Sequence, residues 1–256
     1  MLRLSFQTQT ALPDVPFYIE EQVTTTYAVI IIELKFSMFK GYGEIVVLGD
    51  VAPVIAILEN EKRNIEQYAY NGPERFWHFL HHLIPHQEAI IAGIDMASWD
   101  LYAKMKKVPM HRVFGIQWKD IKPSLVLCAQ ATVETLGDFV NTNPANGYLV
   151  RANAENVLAQ ITMLKQLSEA ELIVVLETKL EDAEQGKQLL EALYALGVRV
   201  FILPFASEFA EQLPSITTNM SDAQFLMEST PSVTKFTQDI EHYDGAVINL
   251  AVCGGI

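Results

Sequence analysis

Residues 147–177 read GYLVRANAENVLAQITMLKQLSEAELIVVLE, and they lay out one repeat of the fold. GYLVRA, 147–152, is a short, mostly apolar run of strand length. Residues 154–170 read as an amphipathic helix, and ELIVVLE, 171–177, is a second β-branched run. The same alternation begins at about Pro123. Its strands are SLVLCA (124–129), the two just quoted, VRVFILP (198–204), AQFLME (223–228) and GAVINLAV (245–252), with a further helix over 182–197. Continuous apolar strands separated by amphipathic helices predict a parallel sheet covered by helices. Six βα units in a row predict a TIM-type barrel, although a closed one takes eight.

The chain before Pro123 reads differently, as strands followed by helices. LRLSFQ (2–7), YAVIIIELKF (27–36) and GYGEIVVLG (41–49) are strands, the last two around a turn at Ser37–Gly41. VAPVIAILENEKRNIEQYAY (51–70) is helical and ends at Asn71-Gly72-Pro73. PERFWHFLHHLI (73–84) opens with Pro73 at a first-turn position. Residues 86–109 form a third, mostly apolar helix stopped by Pro109. The expected organisation is an α+β domain over residues 1–115 and a partial (β/α) barrel over 116–256.

Composition excludes several classes. Of 256 residues, 50% are hydrophobic and 19% charged, so a packed core is expected. The net charge of −13 opposes nucleic acid and anionic membranes, and the acidic residues are spread along the chain as solvated surface. No apolar run approaches the ~20 residues of a membrane span, the longest candidate being the strand-like YAVIIIEL. MLRLSFQTQT lacks the apolar core and cleavage site of a signal peptide. Cys128 and Cys253 make neither a disulfide framework nor a zinc spacing, and a reducing cytoplasm is the expected compartment.

Three stretches are more specific: FKGYGEIVVLG (39–49), IAGIDMASWDLYAKMKKVPMHRVFG (91–115) and GAVINLAVCGGI (245–256). Together they resemble the enolase superfamily, in its muconate-lactonizing and mandelate-racemase branch, and dipeptide epimerases most of all. The resemblance implies a capping domain, a linking helix and a barrel. It implies an isomerase, a racemase or epimerase, that moves an α-proton between two lysines while Mg²⁺ stabilises the enediolate. Mg²⁺ requires hard oxygen ligands, and an α-proton beside a carboxylate is too weakly acidic without a cation on the developing charge.

Carried over residue by residue, the family's Lys-x-Lys falls on Leu149, Val150 and Arg151, and its other lysine on Asn249. The three metal-ligand positions fall on Leu176, Ile202 and Met227. The substitutions at these positions lead to the expectation of no Mg²⁺, no other cofactor, and a pseudoenzyme with a binding or scaffold role. The alternative is a metal-free enzyme acting on a small carboxylate or peptide through Arg151, Glu228 and Asn249. Arg151 is either an anion-binding guanidinium or half of an ion pair across the barrel mouth with Glu228 or Glu177. Glu177 is expected to point away from the barrel axis if Leu176 and Thr178 point along it. Glu228, Thr178, Glu20 and Glu21 are the candidate ligand-binding residues, the last two on a capping-domain loop.

His78, His81, His82 and His86 lie close enough along one helix for a metal cluster, though surface or core histidines explain them as well. The expected partners are a small-molecule ligand and a second copy of the chain. The terminal strands of a six-strand open barrel leave backbone groups unpaired, which favours a homo-oligomer.

Overall fold

The computed structural model describes residues 1–11, 17–19, 22–24, 27–117, 126–127, 133–176, 183–203, 211–228, 240–248 and 255. The chain divides into two compact units. One holds Met1–Pro13, Thr24–Lys122 and Asn249–Ile256, and the other Asp14–Val23 and Pro123–Ile248.

In the first unit, strands β1 (Leu2–Ala11), β4 (Tyr27–Phe36) and β5 (Phe39–Val47) form an antiparallel sheet in the order β1-β4-β5. Leu2 pairs with Phe36 and Ala11 with Tyr27, while Phe36 faces Phe39 across the second hairpin. That hairpin turns on Ser37 and Met38, and Ser37 takes a left-handed φ of 55°. The turn is shorter than the sequence pattern suggests, because the strand resumes at Phe39. In sequence between the first two of these strands, and belonging to the second unit except for Thr24, β2 (Phe17–Ile19) and β3 (Gln22–Thr24) make a two-stranded sheet. Ile30, Ile32 and Leu34 alternate into the core, as period-two patterning requires.

Helices α1 (Ala52–Gln67), α2 (Pro73–Leu83) and α3 (Glu88–Lys106) supply the rest of that core through Leu58, Ile65, Phe76, Leu80, Ile94 and Leu101. Helix α3 ends at Lys107, which takes a left-handed φ of 56°, and Pro109 precedes the short α4 (Met110–Val113). β5 lies directly on α3. A methyl group built on Gly43 would stand 2.0 Å from the Gly93 carbonyl oxygen, and one on Gly41 2.0 Å from that of Ala97. Only glycine permits this approach. The backbone N–H of Tyr42 donates to Asp100 Oδ2 at 2.8 Å, which ties strand to helix. On the same helix, the buried Tyr70 hydroxyl donates to the Ser98 carbonyl at 3.0 Å.

In the second unit, β6 (Val126–Leu127), β7 (Gly147–Ala152), β8 (Glu171–Leu176), β9 (Val200–Leu203), β10 (Gln224–Glu228) and β11 (Gly245–Val247) form one sheet in sequential order. Every pairing in it is parallel. Helices α5 (Val133–Thr142), α6 (Val157–Leu167), α7 (Ala183–Ala195) and the short α8 (Leu213–Ile216) come between successive strands. This is the expected α/β architecture of an antiparallel cap sheet with helices and a partial (β/α) barrel. One core joins Tyr148, Val150 and Ala152, Leu172, Val174 and Leu176, and Phe201, Leu203 and Phe225 to helix residues such as Ile161, Leu164, Leu190 and Leu193. These strand residues therefore mark the helix-covered face.

Candidate functional site

Side chains alternate along a strand, so the opposite face of this sheet carries Leu149, Arg151, Ile173, Val175, Val200, Ile202, Leu226 and Glu228. The register aligns part of this set in one row: Arg151 pairs with Val175, Val175 with Ile202, and Ile202 with Leu226. Val175 and Ile202 are buried. Across them Arg151 Nη2 donates to Glu228 Oε1 at 2.7 Å. The two side chains are 29% and 30% exposed, so the pair is open to solvent on one side and apolar on the other.

This geometry changes part of the residue assignment made from sequence. Leu176 belongs to the helix-covered core, beside Ala152 and Val174, and not to the face that carries Arg151. Met227 is fully buried and shares the parity of Phe225, again on the helix side. The residue on the Arg151 face of β10 is its neighbour Glu228. Ile202, by contrast, does lie on the Arg151 face, with 5% exposure. Glu20, Glu21, Thr178, Glu177 and Asn249 lie outside the described residues, as do Cys128 and Cys253.

The histidines of α2 separate by environment. His81 lies against the Trp77 ring with centroids 4.0 Å apart, and Trp77 also meets His78 edge-on at 4.9 Å. His78, His82 and His86 are exposed. Among the described residues, no three His, Cys, Asp or Glu side chains gather to hold a metal ion. The Mg²⁺ that the sequence resemblance implies does not fit the described part of the barrel mouth. At the C-terminal end of that face the described carboxylate is Glu228, already engaged by a guanidinium, with Val175 and Ile202 beside it, whereas Mg²⁺ takes near-octahedral oxygen coordination. No helix among the described residues is long and apolar enough to cross a membrane.

The chain combines an antiparallel sheet and its helices with a run of sequential parallel βα units. Residues 5–115 match the mandelate racemase / muconate lactonizing enzyme N-terminal domain. An L-Ala-D/L-amino acid epimerase from a Maribacter species is 23% identical over 218 residues, covering 79% of this chain and 60% of its own. The chain therefore spans about 60% of the length of this curated relative. A dipeptide epimerase from Methylococcus capsulatus, solved with Mg and the dipeptide L-Arg-D-Lys, has a TM-score of 0.80 at 16% identity, over 99% of this chain and 76% of that one. A Cytophaga hutchinsonii dipeptide epimerase solved with Mg and D-Ala-L-Val gives 0.79 at 14%, over 100% and 73%. The L-Ala-D/L-Glu epimerase of Bacillus subtilis gives 0.79 at 16%, over 99% and 75%. The chain thus carries a match to that N-terminal domain over residues 5–115 and shares the fold of these dipeptide epimerase structures.

Proposed function

We propose that this chain is a dipeptide-epimerase homologue that does not perform metal-assisted 1,1-proton transfer, and that its barrel mouth is a binding or scaffold site. The observation that carries this reading is the Arg151–Glu228 ion pair at 2.7 Å. A guanidinium has no acceptor and stays protonated in a protein, so Arg151 does not take up an α-proton. Its partner is the described carboxylate at the C-terminal end of that face, and an ion pair there competes with a divalent cation. By the sequence resemblance, Asn249 stands at the other lysine position, and an amide is neither a useful base nor a useful acid at neutral pH. Each general base lost costs about 10²–10⁴-fold in rate.

The same reading takes residues 1–115 as the cap and 116–256 as the barrel, in a cytoplasmic homo-oligomer. β6 and β11 are the edges of the six-stranded sheet, and Ile248 beyond β11 is exposed. Such edges favour pairing with a second copy, which light scattering at micromolar concentration measures.

The deciding experiment is deuterium incorporation at the α-carbons of L-Ala-L-Glu in D₂O, with and without millimolar Mg²⁺. No exchange above buffer is expected. Exchange that scales with protein and disappears in Arg151→Ala would overturn the proposal in favour of an enzyme working through Arg151, Glu228 and Asn249.

A further inference from the structure

We infer that His78 and His82 form a surface chelate for a divalent transition-metal cation of the nickel, copper and zinc class, held by two imidazoles on the exposed face of α2. The site belongs to the first unit and is separate from the barrel mouth. Three observations lead there.

The first is spacing. His78 and His82 stand four residues apart within α2, and both are exposed. Residues at i and i+4 share one helix face, with Cβ atoms about 5–6 Å apart. Two imidazoles so placed can close on a single ion at the usual metal–nitrogen distance of about 2.0–2.1 Å. The second is availability. Among the described residues neither side chain takes part in a hydrogen bond or ion pair, and His78 meets the Trp77 ring edge-on at 4.9 Å. An imidazole nitrogen not otherwise engaged is the commonest of metal ligands. The third is charge. His82 stands in the last turn of α2, where the negative end of the helix dipole favours a cation. Glu74 is exposed one turn before His78 and adds to that field, Arg75 opposes it, and the chain as a whole carries −13.

The neighbouring histidines stand outside the pair. His81 is half-buried against the Trp77 ring at 4.0 Å. His86 lies beyond the end of α2 with a left-handed φ of 63°, so helical spacing no longer sets its direction. The ion therefore has two protein ligands and completes its coordination with water. Imidazole suits nickel, copper and zinc, whereas Mg²⁺ prefers oxygen, and this preference sets the chelate apart from any Mg²⁺ site.

The experiment is titration of the full chain with Ni²⁺, read by calorimetry and by tryptophan fluorescence. The wild type should bind one Ni²⁺ saturably and should give no response to Mg²⁺ at the same concentration. The ion should quench Trp77, whose ring lies against His78, and Trp77→Phe should keep the heat while losing that quench. His78→Ala and His82→Ala should each weaken Ni²⁺ binding at least about tenfold, since even partners outside the ligand shell cost that much. The double substitution should abolish it, and His86→Ala should leave it unchanged. Ni²⁺ should also raise the melting temperature of the wild type and not that of the double variant, because the unfolded chain does not hold the two rings at helical spacing. Melts without metal establish that each variant is folded, as alanine at exposed helix positions should allow.

The inference is overturned if saturable Ni²⁺ heat survives the double substitution, if His86→Ala weakens binding as much as His82→Ala, if Mg²⁺ displaces Ni²⁺ at equal concentration, or if the wild type shows no saturable binding. None of these outcomes depends on the D₂O measurement, which tests the barrel mouth alone.

Discussion

Arg151 on β7 and Glu228 on β10 meet at 2.7 Å although β8 and β9 run between their strands. At ~4.8 Å per strand, β7 and β10 would stand about 14 Å apart in a flat sheet. Two long side chains bridge that span by reaching over Val175 and Ile202. With both groups about 30% exposed, the pair should contribute modestly. A double-mutant cycle of Arg151→Met and Glu228→Gln in urea should give a coupling of about 0.2–1 kcal/mol that shrinks as salt rises. A coupling of zero at low salt would mean that the contact does not persist in solution.

Gly43 and Gly41 allow β5 to lie on α3 without intervening side chains. Gly43→Ala places a methyl group 2.0 Å from the Gly93 carbonyl oxygen, a backbone atom that cannot swing aside. The expected cost is about 2–3 kcal/mol, at the upper end for overpacking. Gly137, on α5, has open space around the position of a Cβ. Gly137→Ala should be neutral or stabilising by up to ~1 kcal/mol. Thermal denaturation of the two variants side by side checks the contrast.

Burial pushes the Tyr70 hydroxyl from 10.0 up to about 12, the Ser98 hydrogen bond restraining the rise and the Asp95 carboxylate adding to it. A raised folded value means that the unfolded chain loses its proton first as pH climbs. Tyr70 therefore contributes its full stabilisation below pH ~10, and that contribution drains away between about 10 and 12. The fall in stability across that window is about 2–3 kcal/mol, set by the penalty on the buried phenolate. Tyr70→Phe should lose about 1 kcal/mol at neutral pH with its hydrogen bond to Ser98, and should show a flatter fall of melting temperature above pH 10. Parallel alkaline profiles for the two proteins would contradict this assignment.

Restoring one lysine should not restore proton transfer. In Asn249→Lys, Arg151 would still engage Glu228, and the opposite face of the α-carbon would still lack a base. No deuterium incorporation into L-Ala-L-Glu is expected from this variant, and NMR of the dipeptide in D₂O is the measurement.

Much of the fold was legible because the strands and helices carry strong local signals. The apolar run 27–36 became β4 with those bounds, and Pro73 opens α2 as its fixed φ allows. Helix α5, VETLGDFVNT, announces itself poorly because Gly137, Thr142 and Asn141 are weak helix formers. Which face each barrel-mouth residue takes was harder to read. LIVVL in β8 and FLM in β10 are apolar on both sides, since a covered parallel strand buries both faces. Such strands give no polar alternation from which to read parity, and a slip of one residue reverses every side chain. Leu176 and Met227 therefore carry no sequence sign of which face they take. The ion pair from Arg151 to Glu228 joins residues 77 apart in sequence, and only the register reveals which carboxylate is reached.

The glycine contact between β5 and α3 also bears on how this unit opens. With a strand backbone seated against a helix backbone, and the Tyr42 amide tied to Asp100, neither element can loosen without separating the whole seam. β5 and α3 should therefore exchange their amide hydrogens as one cooperative block, near the slowest rate in the chain, while the exposed end of α1 frays independently.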